Sequence, residues 1–241
     1  MFEITYFDEV TSTNDIIKEA ARNGAKEWTV AIANSQSAGR GRMGKSFMSP
    51  RGTGIYMSIL LRPTLDAENA LLITTAAAVA VAKVIEAHTA KKASIKWVND
   101  VFVDGKKVCG ILTEGQLTDN GKFDYAILGI GINLTVPKGG FMEIENIAGA
   151  LFENCDYDKN KIIDDILNCF AAYYEKITDK PHFEDYAKRD MLCGKVVNVI
   201  RAGEVLYSAT VCGIDRDFSL VIEHDGKKEN LATGEVSVKA I

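Results

Sequence analysis

No two of the five cysteines, at positions 109, 155, 169, 193 and 212, stand in a CxxC pair, and an odd count makes a poor disulfide framework. A reducing, cytoplasmic setting fits best. The three histidines, at 88, 182 and 224, are too scattered along the chain to suggest a metal site. Basic excess is missing too: 28 Lys and Arg against 33 Asp and Glu leave a net charge of −5, which opposes binding to a polyanion, so no specific DNA binding is expected. The opening MFEITYFDEV has no basic segment followed by an apolar run, so no secretory leader is expected. The longest apolar run, residues 70–82, contains two threonines and stops at Lys83, short of the ~20 residues that span a bilayer. No membrane partner is expected, and there is neither an internal repeat nor a low-complexity segment.

What is present is an ordinary globular composition, 47% hydrophobic and 25% charged over 241 residues, enough for a sizeable core. A short strand over residues 2–7 precedes TSTNDIIKEAARNG, where Ser12 or Thr13 is placed to cap a helix that buries Ile16, Ile17 and Ala20 and stops at Gly24. Residues 28–35 and 54–63 read as neighbouring buried strands, and residues 66–88 as a long, largely buried helix. Asp104-Gly105 and Asn120-Gly121 mark tight hairpins between three antiparallel strands. Helices are expected over 144–153, 159–177 and 182–190. After Leu192 four short strands with turns at roughly ten-residue spacing suggest a small β barrel. The expected division is a domain over 1–190 and a small one over 191–241.

Between the first two buried strands lies SAGRGRMGKSF, residues 37–47, with three glycines and three cations. Gly39, Gly41 and Gly44 let backbone N–H groups come close to a ligand, and Arg40 and Arg42 offer planar forks for carboxylate or phosphate. The loop fits no GxxxxGK[ST] pattern. Its GxGxxG register is followed by turn residues and a strand, which argues against a dinucleotide turn. Taken alone, the loop reads as well as a solvated basic surface loop as it does as an anion site.

Four further motifs decide between these. STN at 12–14, QSAGRGRMGKSF at 36–47, KWVNDVFVDGKKVCGIL at 96–112, GIGINL at 129–134 and GEVSVK at 234–239 occur in that order. Together they resemble the biotin protein ligases over nearly the whole chain. The resemblance implies an α+β fold, a mixed β-sheet catalytic domain backed by helices with a small C-terminal SH3-like β-barrel. It also implies two-step chemistry: biotin and MgATP give biotinyl-5′-AMP and pyrophosphate, and a lysine of a biotin carboxyl carrier protein then displaces AMP. The expected form lacks the N-terminal DNA-binding domain of some relatives, since STN begins at residue 12, and acts as a monomer or homodimer.

By the resemblance, Ser12, Thr13, Asn14, Gln36, Gly39, Arg40, Lys107, Gly110, Leu112 and Gly129 hold biotin, whose ureido ring needs one donor and two acceptors in an apolar pocket. Ser12 and Thr13 also read as helix caps, a job either can combine with binding, and Gly110 and Gly129 as strand bulges. Arg42, Phe47, Asn99, Asp100, Asn133, Glu235 and Lys239 are matched to ATP and adenylate. Lys107 and Arg42 are the catalytic pair, because joining a carboxylate to the α-phosphorus brings two anions together. Strand alternation sends Lys106 and Lys107 to opposite faces, one inward and one solvated; the resemblance selects Lys107 as the inward one. Asp100 is a candidate Mg²⁺ organiser, with strand-end turn chemistry as the alternative. Lys45, Phe47 and Val98 depart from the family's common arginine, tryptophan and proline. Competing functions are a lipoate protein ligase, a transcription regulator, and a non-catalytic biotin- or nucleotide-binding module.

Overall fold

The computed structural model describes residues 1–201, 203–232 and 236–240; the side chains of Glu68, Glu143 and residues 236–240 are not described. Twelve strands and four α-helices are formed among them: β1 Glu3–Val10, α1 Thr13–Arg22, β2 Thr29–Gln36, β3 Gly54–Leu61, α2 Ala70–Thr89, β4 Ala93–Lys96, β5 Asp100–Val103, β6 Lys106–Leu117, β7 Phe123–Asn133, α3 Lys159–Tyr174, α4 Phe183–Lys188, β8 Val196–Arg201, β9 Glu204–Ile214, β10 Leu220–His224, β11 Lys227–Leu231 and β12 Val236–Ala240. Seven strands form one sheet in the order β1-β2-β3-β7-β6-β5-β4, and five form a second, β11-β10-β9-β8-β12. Among the described strands only β1 and β2 pair in parallel, so the large sheet is mixed and the small one antiparallel, the α+β architecture expected.

Alternation along the central strands assigns the two faces of the large sheet. Val30, Ile32, Ile59, Leu61, Ala126 and Leu128 point into the main core under α2 and α3. Ala31, Leu60, Tyr125 and Ile127 point the other way, where Ile17 and Ala21 of α1 cover them. Helix α1 is short, so it covers one end of that face and leaves the continuation of the same rows open. The cavity described below occupies this uncovered part. Helix α2 is long and apolar enough to cross a bilayer by length and composition, contrary to the reading of residues 70–82, but 72% of its most apolar stretch is buried inside the protein. Its apolarity is consumed by the core.

Several local expectations are corrected. Ser12 precedes α1 at the N-cap position but makes no side-chain cap hydrogen bond; it and Thr13 are buried and turned elsewhere. Ala21, not Ala20, joins Ile17 in the core, with Ile16 partly buried against it, because the helix presents the i, i+4 row to the sheet. No helix forms over 144–153. A single 3₁₀ turn, Met142–Ile144, is followed by extended chain whose main-chain groups pair with β6 and β7. Strand β11 was not expected because KKENL is polar and mostly exposed, an outer strand of the small sheet.

Candidate functional site

A cavity of about 530 Å³ opens beside α1, over β3, β7, β6 and β5. Its floor follows from the same alternation. Ser58 on β3, Gly129, Gly131 and Asn133 on β7, and Gly110, Leu112 and Glu114 on β6 stand in cross-strand register, with Ser58 opposite Gly129, Gly129 opposite Leu112, and Gly131 opposite Gly110. The glycines leave room above the sheet that other side chains enter. A Cβ on Gly131 would sit 2.6 Å from Phe47 Cε1, and one on Gly110 would sit 3.3 Å from Phe47 Cε2. Asn14 occupies the corresponding space over Gly129. Phe47 reaches this position because residues 39–47 turn back as a small hairpin, with Phe47 N–H donating to Gly39 O and Gly41 N–H to Lys45 O.

At the α1 end the lining is polar. Gln36 Oε1 accepts from Thr13 N–H at 2.9 Å and from its hydroxyl at 3.2 Å, which turns Gln36 Nε2 toward Ser49 Oγ at 2.7 Å. Ser58, wholly buried, places its hydroxyl 2.7 Å from Thr13 Oγ1 and 2.5 Å from Asn14 Oδ1. Asn14 Nδ2 then donates to Glu114 Oε2 at 2.6 Å, and the same oxygen takes Arg40 Nη2 at 3.0 Å; Asp15 holds that nitrogen from the other side at 2.8 Å. One continuous hydrogen-bonded chain therefore runs from Ser49 to Arg40, where Asp15 adds an ion pair, and sets which way each amide faces.

Near the far end the groups are charged. Lys107 Nζ stands 2.7 Å from Asp100 Oδ1, an ion pair approached off the line of a good hydrogen bond. Arg42 Nη1 donates to Asn99 Oδ1 at 3.2 Å, and Asn99 Nδ2 in turn donates to Ile111 O. Burial lowers the Arg42 pKa and nearby Asp100 opposes that shift, while a guanidinium stays charged regardless. Lys107 faces the cavity because of a β-bulge. Val101 pairs with Cys109 and Phe102 with Lys107, so Val108 is an extra residue, buried in the core. Were the strand regular, with Val108 paired in the ladder, alternation from Gly110 would bring Lys106 inward instead. The Trp97–Val98 peptide is cis. Cys109 is fully buried, and desolvation pushes its thiol far up, so it is an apolar filler, not a nucleophile.

Of the residues singled out from the sequence, all but Gly39, Glu235 and Lys239 line this cavity. Gly39 lies behind it, where a side chain would meet Ser49 Oγ at 2.7 Å and Gln36 Nε2 at 3.0 Å. Glu235 lies outside the described residues. Lys239 is described by its backbone alone, paired with Asn198. Sequence reasoning missed Ser58, Glu114 and Asp15, which carry no motif and act through other side chains. It also missed Gly131, which the two-residue spacing in GIGIN could have revealed. Ile144, Ile147 and Ala148, assigned to a helix above, close the end near Asn133, and Ile200 reaches in from β8.

The chain is 39% identical over 174 residues to the bifunctional ligase/repressor BirA of Bacillus spizizenii, a match that covers 71% of this chain and 53% of that protein. The chain thus spans about half the length of this relative and of its Bacillus subtilis counterpart. It is 29% identical over 240 residues to the biotin–[acetyl-CoA-carboxylase] ligase of Mycobacterium tuberculosis, covering 93% of this chain and 85% of that one. Among solved structures, the biotin protein ligase from Aquifex aeolicus in complex with biotin and ATP superposes over 100% of both chains with a TM-score of 0.84 at 26% identity. Residues 6–133, more than half of the chain, match the Biotin/lipoate A/B protein ligase family, and the chain belongs to that family.

Proposed function

We propose that this chain activates biotin with MgATP and transfers the biotinyl group to a lysine of a biotin carboxyl carrier domain. The observation that supports this most directly is the cavity itself: a neutral polar end at Ser12, Thr13 and Gln36 is continuous with a cationic centre at Lys107 and Arg42. A neutral ureido ring suits the first, and a carboxylate meeting a phosphate suits the second. Arg40 and Asn14 flank the ureido end, and Leu112, Gly110 and Gly129 form the wall along the ligand's ring and tail.

In the first step a biotin carboxylate oxygen attacks the α-phosphorus and pyrophosphate leaves. The Lys107 ammonium and the Arg42 guanidinium offset the repulsion between the two anions and stabilise charge on the phosphoryl oxygens. Phe47, Asn99 and Asn133 form the nucleotide side. In the second step the carrier lysine amine attacks the acyl carbon and AMP leaves with its electron pair. The mixed anhydride is already activated, so no enzyme nucleophile is needed. Mg²⁺ enters as part of the substrate, bound to the ATP phosphates. Among the described residues no three His, Cys, Asp or Glu gather as a metal site, and Asp100 is the carboxylate placed to meet a phosphate-bound ion. We assign this chemistry to residues 1–190, with 191–241 as the smaller unit.

The test is mass spectrometry of a carrier domain incubated with this protein, MgATP and either biotin or lipoate. A mass gain with biotin supports the assignment; a gain with lipoate alone makes the chain a lipoate ligase. No gain with either, together with no pyrophosphate release, leaves a binding module.

A further inference from the structure

The family resemblance makes Lys106 the solvated neighbour of Lys107. The structure gives it two partners. Its ammonium donates to Glu145 O and to Asn146 O, each at 3.0 Å. These carbonyls end a short winding turn: Glu145 N–H bonds to Met142 O, while Ile147 N–H and Ala148 N–H bond to Ile144 O. A cation at the carbonyl end of such a turn is favourable electrostatically and satisfies acceptors the turn leaves open. The next residues run along β6. Lys107 N–H donates to Ile147 O at 2.7 Å and Gly149 N–H to Lys107 O at 2.9 Å, while Asn133 Nδ2 donates to Gly149 O at 3.0 Å. Gly149 lies directly on the Lys106 stem, where an added Cβ would stand 2.5 Å from Lys106 Cβ.

Residues 144–148 thus form a strap, pinned from below by β6 and β7 and at its turn by Lys106. Its other side faces the cavity through Ile144, Ile147 and Ala148, next to Asn133. Ile147 remains 58% exposed and Ile144 41% exposed, so little apolar packing of their own holds them in place. Ala148 is buried, and the polar pins carry the position of the exposed turn before it. The two adjacent lysines divide the work, Lys107 toward the reacting anions and Lys106 toward the wall beside them.

We infer that Lys106 is a positioning residue for the nucleotide: by capping Glu145 O and Asn146 O it holds the strap that forms the ATP end of the cavity, and it takes no part in holding biotin. This rests on the ligase reading above. The experiment follows pyrophosphate release by full-length wild type, Lys106→Met and Lys106→Arg, varying ATP at saturating biotin and then biotin at saturating ATP. Lys106→Met keeps the stem against Gly149 and loses both charged hydrogen bonds; its KM for ATP is expected to rise about tenfold, with kcat and the KM for biotin within about twofold of wild type. Lys106→Arg, which can still donate to both carbonyls, is expected to recover most of that loss. An unchanged KM for ATP in Lys106→Met, or equal rises for ATP and biotin, would overturn the inference while leaving the ligase reading in place. Absence of pyrophosphate release by the wild type would overturn both.

Discussion

The Lys107 ammonium and the Asp100 carboxylate meet at 2.7 Å on the cavity floor, drawn together from two strands by the extra residue at Val108. The pair aims the lysine at a point where two substrate anions must approach each other. Replacing Lys107 by alanine is expected to lower biotinyl-adenylate formation by roughly 10²- to 10³-fold, the scale of one preorganised electrostatic group. The fold should persist, since the Asp100 side chain keeps 21% of its surface in contact with solvent. Single-turnover adenylate formation at saturating biotin and ATP reads this out. A rate within threefold of wild type, with an unchanged melting temperature, would remove Lys107 from the mechanism.

Ser58 touches no ligand in the proposed arrangement, yet it orients two residues that do. Its hydroxyl carries one proton between Thr13 Oγ1 and Asn14 Oδ1, and that contact turns Asn14 Nδ2 toward Glu114. Ser58→Ala should raise the KM for biotin about tenfold, equivalent to ~1.4 kcal/mol, and leave the KM for ATP alone. Steady-state kinetics in both substrates settles the matter. Equal effects on the two, or none, would mean that the chain of hydrogen bonds serves stability only.

Gly131 gives Phe47 its seat. A methyl group there would overlap the ring at 2.6 Å and 2.8 Å, and Gly131→Ala should expel it, weakening ATP binding severalfold. If displacement of Phe47 is the cause, Gly131→Ala should add little once Phe47→Ala is in place. A double-mutant cycle on the KM for ATP measures that coupling, and full additivity would refute the explanation.

His182 makes stability pH-dependent. Wholly buried, it is stacked on Phe218 with Nε2 3.0 Å from Thr75 Oγ1, and its Nδ1 has no hydrogen-bond partner among the described residues. Thr75 gives its own proton to Leu71 O, so Nε2 carries the ring hydrogen and any second proton must enter at the unpartnered Nδ1. Burial lowers the pKa to about 4 from an ordinary value of 6.5. Between those values the unfolded chain binds a proton that the folded chain does not, so stability falls as pH drops from 6.5 toward 4, by a total of about 3 kcal/mol, and this loss is absent above 6.5. His182→Phe, which cannot titrate, should show a shallower decline of melting temperature over that range. Parallel declines would show that other groups govern it.

The pieces of the fold are legible in short stretches of the chain. Apolar runs placed the buried strands, Asp104-Gly105 placed the tight turn between β5 and β6 with both residues at positive φ, and four of the five ordered motifs held residues that line the cavity. These signals are local, since each depends on a side chain's period or a backbone's tolerance within a few residues. What only the tertiary structure decided depends on groups far apart in the chain. Ser58 and Glu114 matter because they meet Asn14 from 44 and 100 residues away. The helix expected over 144–153 gave way to a strap because β6, β7 and the Lys106 ammonium offered its backbone better partners than its own turns did. The choice between two adjacent lysines was settled by a bulge at Val108: a residue's face in a strand is fixed by its pairing partners, and those partners lie in another strand.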